Sequence, residues 1–159
     1  MGDTIDQPIS KTQGWLKIFR ISNAPTVISN ITVGVALAYQ VDKSSSTPSY
    51  EFGLVPLFVI SGVLLLIYFA GMIFNDASDT NYDRQHRPDR PIPMGIISSK
   101  EAWLLGSVML AVALFASSIA LNGENVSTQI LVATVVAYTF LHRWFIPAIV
   151  LMGICRGLV

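Results

Sequence analysis

The chain has 159 residues, of which 52% are hydrophobic and 13% are charged, and its mean hydropathy is +0.57. Soluble domains average about 25% charged residues, so this composition favours a membrane protein over a soluble helical bundle, which would lack polar surface. The formal net charge is zero, so overall charge indicates no nucleic-acid partner. The single cysteine, Cys155, excludes a disulfide framework.

Apolar segments in chain order predict an all-α polytopic transmembrane bundle, with four spans and the start of a fifth, as one membrane domain over residues 1–159. The stretch from Gly14 to Arg20 is amphipathic and typical of a membrane interface. The first three spans have 19, 22 and 20 residues, close to the roughly 20 that cross a bilayer core. The predicted helices are Asn23 to Val41, Gly53 to Phe74, Ala102 to Leu121, Thr128 to Leu141, and a fifth that begins at Phe145.

Basic residues in the short loops predict the orientation, because cytoplasmic loops carry an excess of Lys and Arg. One side has Lys43 alone, and the other has eight basic residues, including those of the long loop after the second span. We therefore expect an integral, multi-pass membrane protein with that loop in the cytoplasm. The eight residues are Lys11, Lys17, Arg20, Arg84, Arg87, Arg90, Lys100 and Arg143.

Acidic residues at the end of the second span are the strongest functional signal. Asp76, Asp79 and Asp83 are three and four residues apart and follow Asn75, so they fall on one side of a continuing helix. Like charges stacked in this way repel one another, and a divalent cation would resolve the repulsion. Mg²⁺ takes carboxylate oxygens and bridges them to phosphate. The pattern therefore predicts a Mg²⁺ site at a membrane surface.

Basic residues follow the acidic ones at short range. Arg84, Arg87 and Arg90 carry guanidinium groups, which bind phosphate oxygens in bidentate fashion. Acids, a metal and arginines together suit a diphosphate ligand. The alternatives for the arginines are topological positive charge and binding of lipid headgroups. Prolines and a glycine in the segment from Pro88 to Gly95 indicate a shaped loop rather than a flexible linker.

Two further features flank this loop. Ser98 and Glu101 have the spacing of a capping box, which predicts the start of the next helix. Asn23 lies where the first span begins, and polar groups in such places usually face a bundle interior or a wet cavity. Asn23 is therefore a candidate substrate contact, with a hydrogen bond between helices as the competing interpretation.

The motifs together resemble those of the UbiA superfamily of intramembrane prenyltransferases. N-D-x-x-D-x-x-x-D at Asn75 to Asp83, with R-P-I-P-x-G at Arg90 to Gly95, is similar to the first Asp-rich motif of that family. R-x-x-N-x-P-T at Arg20 to Thr26 is similar to the start of its first helix. The resemblance covers most of the chain.

The resemblance implies a Mg²⁺-dependent transferase of alkyl or aryl groups other than methyl. It would move an isoprenyl group from a prenyl diphosphate to an aromatic or other lipophilic acceptor in the bilayer. Asp76, Asp79 and Asp83 carry over as metal-binding and catalytic residues. Asn75, Arg84, Arg87, Arg90 and Asn23 carry over as substrate contacts.

One departure from the family pattern concerns a second Asp-rich motif in the second half of the bundle. Here no acidic residue follows Glu124. The chain therefore resembles the N-terminal half of a family member, and a C-terminal half is expected as its missing partner. The alternatives are an inactive membrane fragment that retains one metal–diphosphate half-site, and a binder of anionic lipid headgroups.

Overall fold

The computed structural model describes residues 9–44, 54–120, 126–141 and Val150, and this part of the chain is helical with connecting turns. A 3-10 turn, Ile21–Asn23, connects the first two helices. The helices are α1 Lys11–Phe19, α2 Ala24–Ser44, α3 Leu54–Ser78, α4 Thr80–His86, α5 Ser99–Ala120 and α6 Val126–Leu141.

The main packing contact joins α3 to α5, and α6 packs against both helices. An apolar cluster lies where these three helices meet, and it includes Phe74 of α3, Leu110 of α5 and Leu131 of α6. Small residues allow close approach: a Cβ added at Gly106 would lie 2.6 Å from Cε1 of Phe74. The ring of Phe74, one residue before the acidic motif, is therefore held firmly against α5.

A second apolar cluster fixes α1 and the loop after α4 against the ends of α3 and α5. Ile18 of α1 and Ile97 of the loop are both completely buried in it. A Cβ added at Gly14 would lie 3.2 Å from side-chain atoms of Ile96 and Ile97, so α1 rests directly on the loop. The amphipathic stretch thus belongs to α1, except for Arg20, which ends the helix.

The start of α5 confirms the predicted capping box. The backbone N–H of Glu101 donates to Oγ of Ser98 at 3.1 Å, and the backbone N–H of Ser98 donates to Oε2 of Glu101 at 3.2 Å. An ion pair of 2.7 Å between Lys11 and Glu101 links this end of α5 to α1. Helix α1 has its own capping box, formed by Ser10 and Gln13.

The predicted spans are confirmed in part. Two helices are long and apolar enough to cross a membrane, over Phe58–Ser78 and Ser99–Ala120. Within the described residues, a shorter apolar stretch of α2 runs from Ala24 to Leu37. Helix α6 is described over 16 residues, Val126–Leu141, and residues 121–125 and 142–149 on either side lie outside the described part of the chain. Apart from Val150, the predicted fifth helix lies outside the described residues.

Candidate functional site

The acidic motif is helical on both sides of a single junction. Helix α3 continues three residues past Asn75, and α4 begins directly after Asp79. Helical hydrogen bonds cross the junction, from Asp79 N–H to the Asn75 carbonyl at 3.0 Å and from Asp83 N–H to the Asp79 carbonyl at 2.8 Å. The motif therefore keeps the helical phase that its spacing predicts.

Helical phase divides the motif into two neighbouring stripes. Residues seven apart lie almost on the same line of a helix, so Asp76 and Asp83 share one stripe. Asn75 and Asp79, four apart, share the next stripe. The side chain of Asp83 is 2% exposed and that of Asp76 is 9% exposed. The first stripe thus places two carboxylates in the protein interior, where charge requires a partner.

Arg90 is that partner. Its Nη1 atom donates to Oδ2 of Asp83 at 2.8 Å and to Oδ1 of Asp76 at 3.1 Å. One guanidinium nitrogen therefore lies between the two buried carboxylates, where its positive charge interacts with both of them. The loop that carries Arg90 is held by turns, including a hydrogen bond of 3.0 Å from the Met94 N–H to the Arg90 carbonyl. This order confirms that the proline-rich segment is a shaped loop.

Arg20 reaches the same acid from α1. Its Nη2 atom donates to Oδ1 of Asp76 at 3.4 Å. The Arg20 backbone has φ 47° and ψ 51°, the left-handed conformation, in which it ends α1. A non-glycine residue pays about 1–2 kcal/mol for this conformation. The turn directs the chain from α1 into α2 while the Arg20 side chain remains beside the acidic motif.

Asn75 has a buried acceptor that nothing in the described part of the chain satisfies. Its Oδ1 atom is inaccessible to solvent and receives no hydrogen bond there, and the hydroxyl of Tyr68 is in the same situation. Tyr68 lies seven residues before Asn75, so both side chains follow one line of α3. Buried polar atoms are normally hydrogen-bonded, which makes this line of α3 a candidate contact for a ligand or another helix.

A polar pocket of about 400 Å³ opens beside Asp76. Helix α1 supplies Lys17 and the turn after it supplies Arg20, while Arg87, Asp89 and Arg90 come from the loop. Four basic side chains and two carboxylates line the pocket, so the cations outnumber the acids. The pocket therefore favours an anionic ligand.

The oxygen donors suit a hard divalent cation, although their present partner is Arg90. Within the described residues, no three His, Cys, Asp or Glu side chains converge closely enough to hold a metal ion. The pair that does converge, Asp76 and Asp83, presents carboxylate oxygens of the kind that Mg²⁺ binds. A single cationic nitrogen already bridges this pair, so the pair fits a cation in that position.

The structure brings together only some of the residues that the sequence selects. Asp76, Asp83 and Arg90 are in direct contact, and Arg87 lines the adjoining pocket. Asp79 is partly buried at the helix junction, whereas Arg84 is exposed on α4. The side chain of Asn23 lies outside what the structure describes.

Two basic residues of the pocket were not among the predicted site residues. Lys17 and Arg20 were interpreted only as interfacial and topological charges, because they are 59 and 56 positions before Asp76. The signal for Arg20 was present, since it begins the R-x-x-N-x-P-T motif. For Lys17 the signal was weaker: it lies one helical turn before Arg20 on the same amphipathic helix.

Comparison with known proteins identifies the class to which this helical chain belongs. The sequence profile described as the UbiA prenyltransferase family matches residues 27–159. The chain belongs to this family, whose members are integral membrane proteins and are generally metal-dependent. No solved structure matches the chain.

Curated relatives carry two different activities in their names. The digeranylgeranylglyceryl phosphate synthase of Methanosarcina barkeri is 33% identical over 100 residues, 61% of this chain and 35% of that protein. The enzyme of the same name from Methanoculleus marisnigri is 34% identical over 107 residues, 67% of this chain and 33% of that protein. The 4-hydroxybenzoate octaprenyltransferase of Idiomarina loihiensis is 42% identical over 86 residues, 52% of this chain and 30% of that protein. The chain thus spans about a third of the length of the relatives it matches.

Proposed function

We propose that the protein acts in Mg²⁺-dependent transfer of an isoprenyl group from a prenyl diphosphate to a lipophilic acceptor within the membrane. The observation that carries the proposal is the pair of buried carboxylates, Asp76 and Asp83, beside a cation-rich pocket at the end of an apolar helix. Family membership and the prenyl-transferring relatives support it.

The acidic motif would hold the metal through Asp76, Asp79 and Asp83. When bound, Mg²⁺ would neutralise negative charge on the leaving diphosphate. Asn75, with its unsatisfied buried Oδ1, would help to position the metal or one of its waters. The motif is held on rigid helix ends, which suits a site that must keep its geometry.

The basic residues would bind the diphosphate. Arg87 and Arg90 lie on the ordered loop beside Asp76, and guanidinium groups pair with phosphate oxygens in bidentate fashion. Arg84 on α4 and Asn23 at the start of the first predicted span are proposed as outer contacts. The apolar helices α3 and α5 would enclose the isoprenyl chain, which prefers surroundings free of water.

We also propose a multi-pass topology with the loop after α4 in the cytoplasm. The support is the excess of basic residues on that side of the predicted spans. We expect a membrane-impermeant reagent to modify a cysteine substituted at the exposed Arg84 in inverted vesicles but not in intact cells.

A non-catalytic half-site is the second candidate. It is favoured by the absence of any acidic residue after Glu124, since the family resemblance implies a second acidic motif. On this alternative the 159-residue chain binds a prenyl diphosphate with Mg²⁺ but transfers nothing, and a C-terminal half would complete the site.

The test measures binding and transfer separately, with the purified 159-residue chain in nanodiscs and a radiolabelled prenyl diphosphate. We expect binding of the prenyl diphosphate to require Mg²⁺. Asp76→Asn or Asp83→Asn should weaken this binding at least tenfold. Asp89→Asn is the matched control, because Asp89 lies outside the motif. Removing its negative charge should leave the binding of an anion unchanged or strengthen it. Binding that ignores both Mg²⁺ and the motif acids would refute the proposal. Transfer to an added acceptor would refute the half-site alternative.

A further inference from the structure

One polar group inside α3 has no place in the proposed metal and diphosphate site. The hydroxyl of Tyr68 is buried and forms no hydrogen bond within residues 9–44, 54–120 and 126–141. Tyr68 lies in the stretch of α3 that is long and apolar enough to cross a membrane. Bulk water cannot satisfy a buried group at such a depth, and leaving it unpaired is costly. The hydroxyl therefore requires a polar partner.

The direction in which Tyr68 points follows from the contacts of its neighbours on α3. Phe69, about 100° further around the helix, packs on Phe19 of α1 with ring centroids 5.2 Å apart. Phe74, about 120° away in the opposite direction, packs against α5, where a Cβ added at Gly106 would lie 2.6 Å from its ring. The side of α3 that carries Tyr68 therefore faces neither α1 nor α5.

The same side of α3 leads to the acidic motif. Asn75 lies seven residues after Tyr68, about 10 Å along the axis and nearly on the same line. Its Oδ1 atom is likewise buried without a hydrogen bond in the described part of the chain. Gly71 lies between the two, and among the described residues a Cβ there would meet only Cγ1 of Val135 on α6, at 3.4 Å. Two unpaired polar groups thus flank a position without a side chain, close to where α6 approaches.

The chemistry of the two proposed substrates decides which one can satisfy Tyr68. The isoprenyl chain is a hydrocarbon and can neither donate nor accept a hydrogen bond. The diphosphate belongs, in the proposed function, to the acidic motif and the basic loop, about 10 Å further along α3. The acceptor is then the substrate that can bring a polar group to the depth of Tyr68. A hydroxyl group fits this position, because alcohols and phenols, like the tyrosine itself, both donate and accept hydrogen bonds.

We propose that Tyr68 binds a hydroxyl group of the lipophilic acceptor and so orients the acceptor beside the acidic motif. This inference deepens the proposed function and rests on it for the identity of the two substrates. Because the Tyr68 hydroxyl is closed to solvent, the acceptor competes with no bulk water for this hydrogen bond. A site built to pair with a substrate hydroxyl also rejects analogues that lack it, so Tyr68 would contribute to acceptor specificity.

The experiment follows Tyr68 directly by NMR of carbon-13 placed at the tyrosine Cζ atom, whose chemical shift responds to hydrogen bonding of the phenol oxygen. The full 159-residue chain is placed in nanodiscs of neutral lipid, and the Tyr68 signal among the five tyrosines is identified by its loss in Tyr68→Phe. The probes are nonylphenol and a hexadecyl ether of glycerol, and nonylbenzene and hexadecane are their counterparts without a hydroxyl. Tyr82→Phe is the matched control, because Tyr82 is 54% exposed on α4 and stacks on His86. Affinities are measured with radiolabelled probes, with empty nanodiscs as the blank.

At least one hydroxyl-bearing probe should move the Tyr68 signal, and Tyr68→Phe should weaken its binding about fivefold, whereas Tyr82→Phe should not. Fivefold corresponds to about 1 kcal/mol, the usual net value of one hydrogen bond. The two hydrocarbons should bind equally to wild type and Tyr68→Phe. An unmoved Tyr68 signal, equal affinity of wild type and Tyr68→Phe for both hydroxyl-bearing probes, or the same response to the hydrocarbons would overturn the inference.

Thermal unfolding without any probe separates acceptor binding from a structural role of the hydroxyl. Tyr68→Phe removes an unpaired buried group, so it should leave Tm unchanged or raise it. A lower Tm would show that the hydroxyl pairs with another helix and would overturn the inference. Neither Mg²⁺ nor a prenyl diphosphate is present in these measurements. Failure here would therefore leave the proposed donor site standing, and failure of the donor site would appear in its own binding test.

Discussion

Replacing Arg90 with glutamine should destabilise the protein strongly in the absence of metal. Arg90 bridges Asp76 and Asp83 at 3.1 and 2.8 Å. After the substitution Arg20 still contacts Asp76, but the side chain of Asp83 loses its one ion pair within the described residues. Removing one partner of a buried ion pair costs about 3–5 kcal/mol. The Arg90 side chain is 21% exposed, so water can replace part of it, and we expect the low end, about 3 kcal/mol.

Thermal unfolding in detergent with EDTA measures the effect. A loss of 1 kcal/mol lowers Tm by roughly 2–4 °C for a chain of about this size, so Arg90→Gln should unfold about 6–12 °C below wild type. Arg84→Gln, an exposed arginine on α4, is the matched control and should change stability by less than about 0.5 kcal/mol. In an Asp83→Asn background the cost of Arg90→Gln should fall, because less uncompensated charge remains buried.

Mg²⁺ provides the decisive comparison. If the vacated position between Asp76 and Asp83 accepts a cation, Mg²⁺ should raise the Tm of Arg90→Gln more than it raises the Tm of wild type. Equal stability of Arg90→Gln and wild type in EDTA would refute the argument that Arg90 compensates these acids. Equal Mg²⁺ shifts in the two proteins would refute the shared cation position.

Three further predictions concern glycine and backbone geometry. Gly106→Ala should lower the free energy of unfolding by about 1–3 kcal/mol, because its Cβ would lie 2.6 Å from the ring of Phe74. Gly62→Ala is the control and should be neutral or slightly stabilising, because no atom lies within 4 Å of its Cβ. Thermal unfolding measures both variants, and equal losses would contradict the packing. Arg20→Gly should be more stable than Arg20→Ala by about 1 kcal/mol, because glycine accepts the left-handed conformation without cost; the reverse order would show that the turn is not strained. Gly14→Val should speed hydrogen exchange in the loop over 90–97, because a branched side chain would push α1 away from that loop; unchanged exchange would show that α1 does not stabilise it.

The sequence predicts the parts of this fold that depend on local patterns. Apolar runs without charge locate α3 and α5, and the Ser98–Glu101 spacing locates the start of α5 within the chain. The spacing of Asp76 and Asp83 predicts their shared line on a helix. Each of these inferences depends on residues within a few turns of one another, where helical geometry dictates which side chains are neighbours.

Contacts between distant segments were beyond such reasoning. No local pattern indicates that Arg90 pairs with the acids instead of remaining free, or that Lys17 reaches the same pocket from α1. Both arrangements depend on the packing of α1 and the loop against two helix ends, which is a tertiary property.

Helix α1 is attached at both ends to different partners. Lys11 contacts Glu101 of α5 and Arg20 contacts Asp76 of α3, so its nine residues bridge a distance of about 14 Å at 1.5 Å per residue. One inserted residue would rotate Arg20 by about 100° around the helix relative to Lys11, and the two attachments could no longer form together. The two contacts therefore constrain the number of residues between Lys11 and Arg20, in addition to the identities of these two residues.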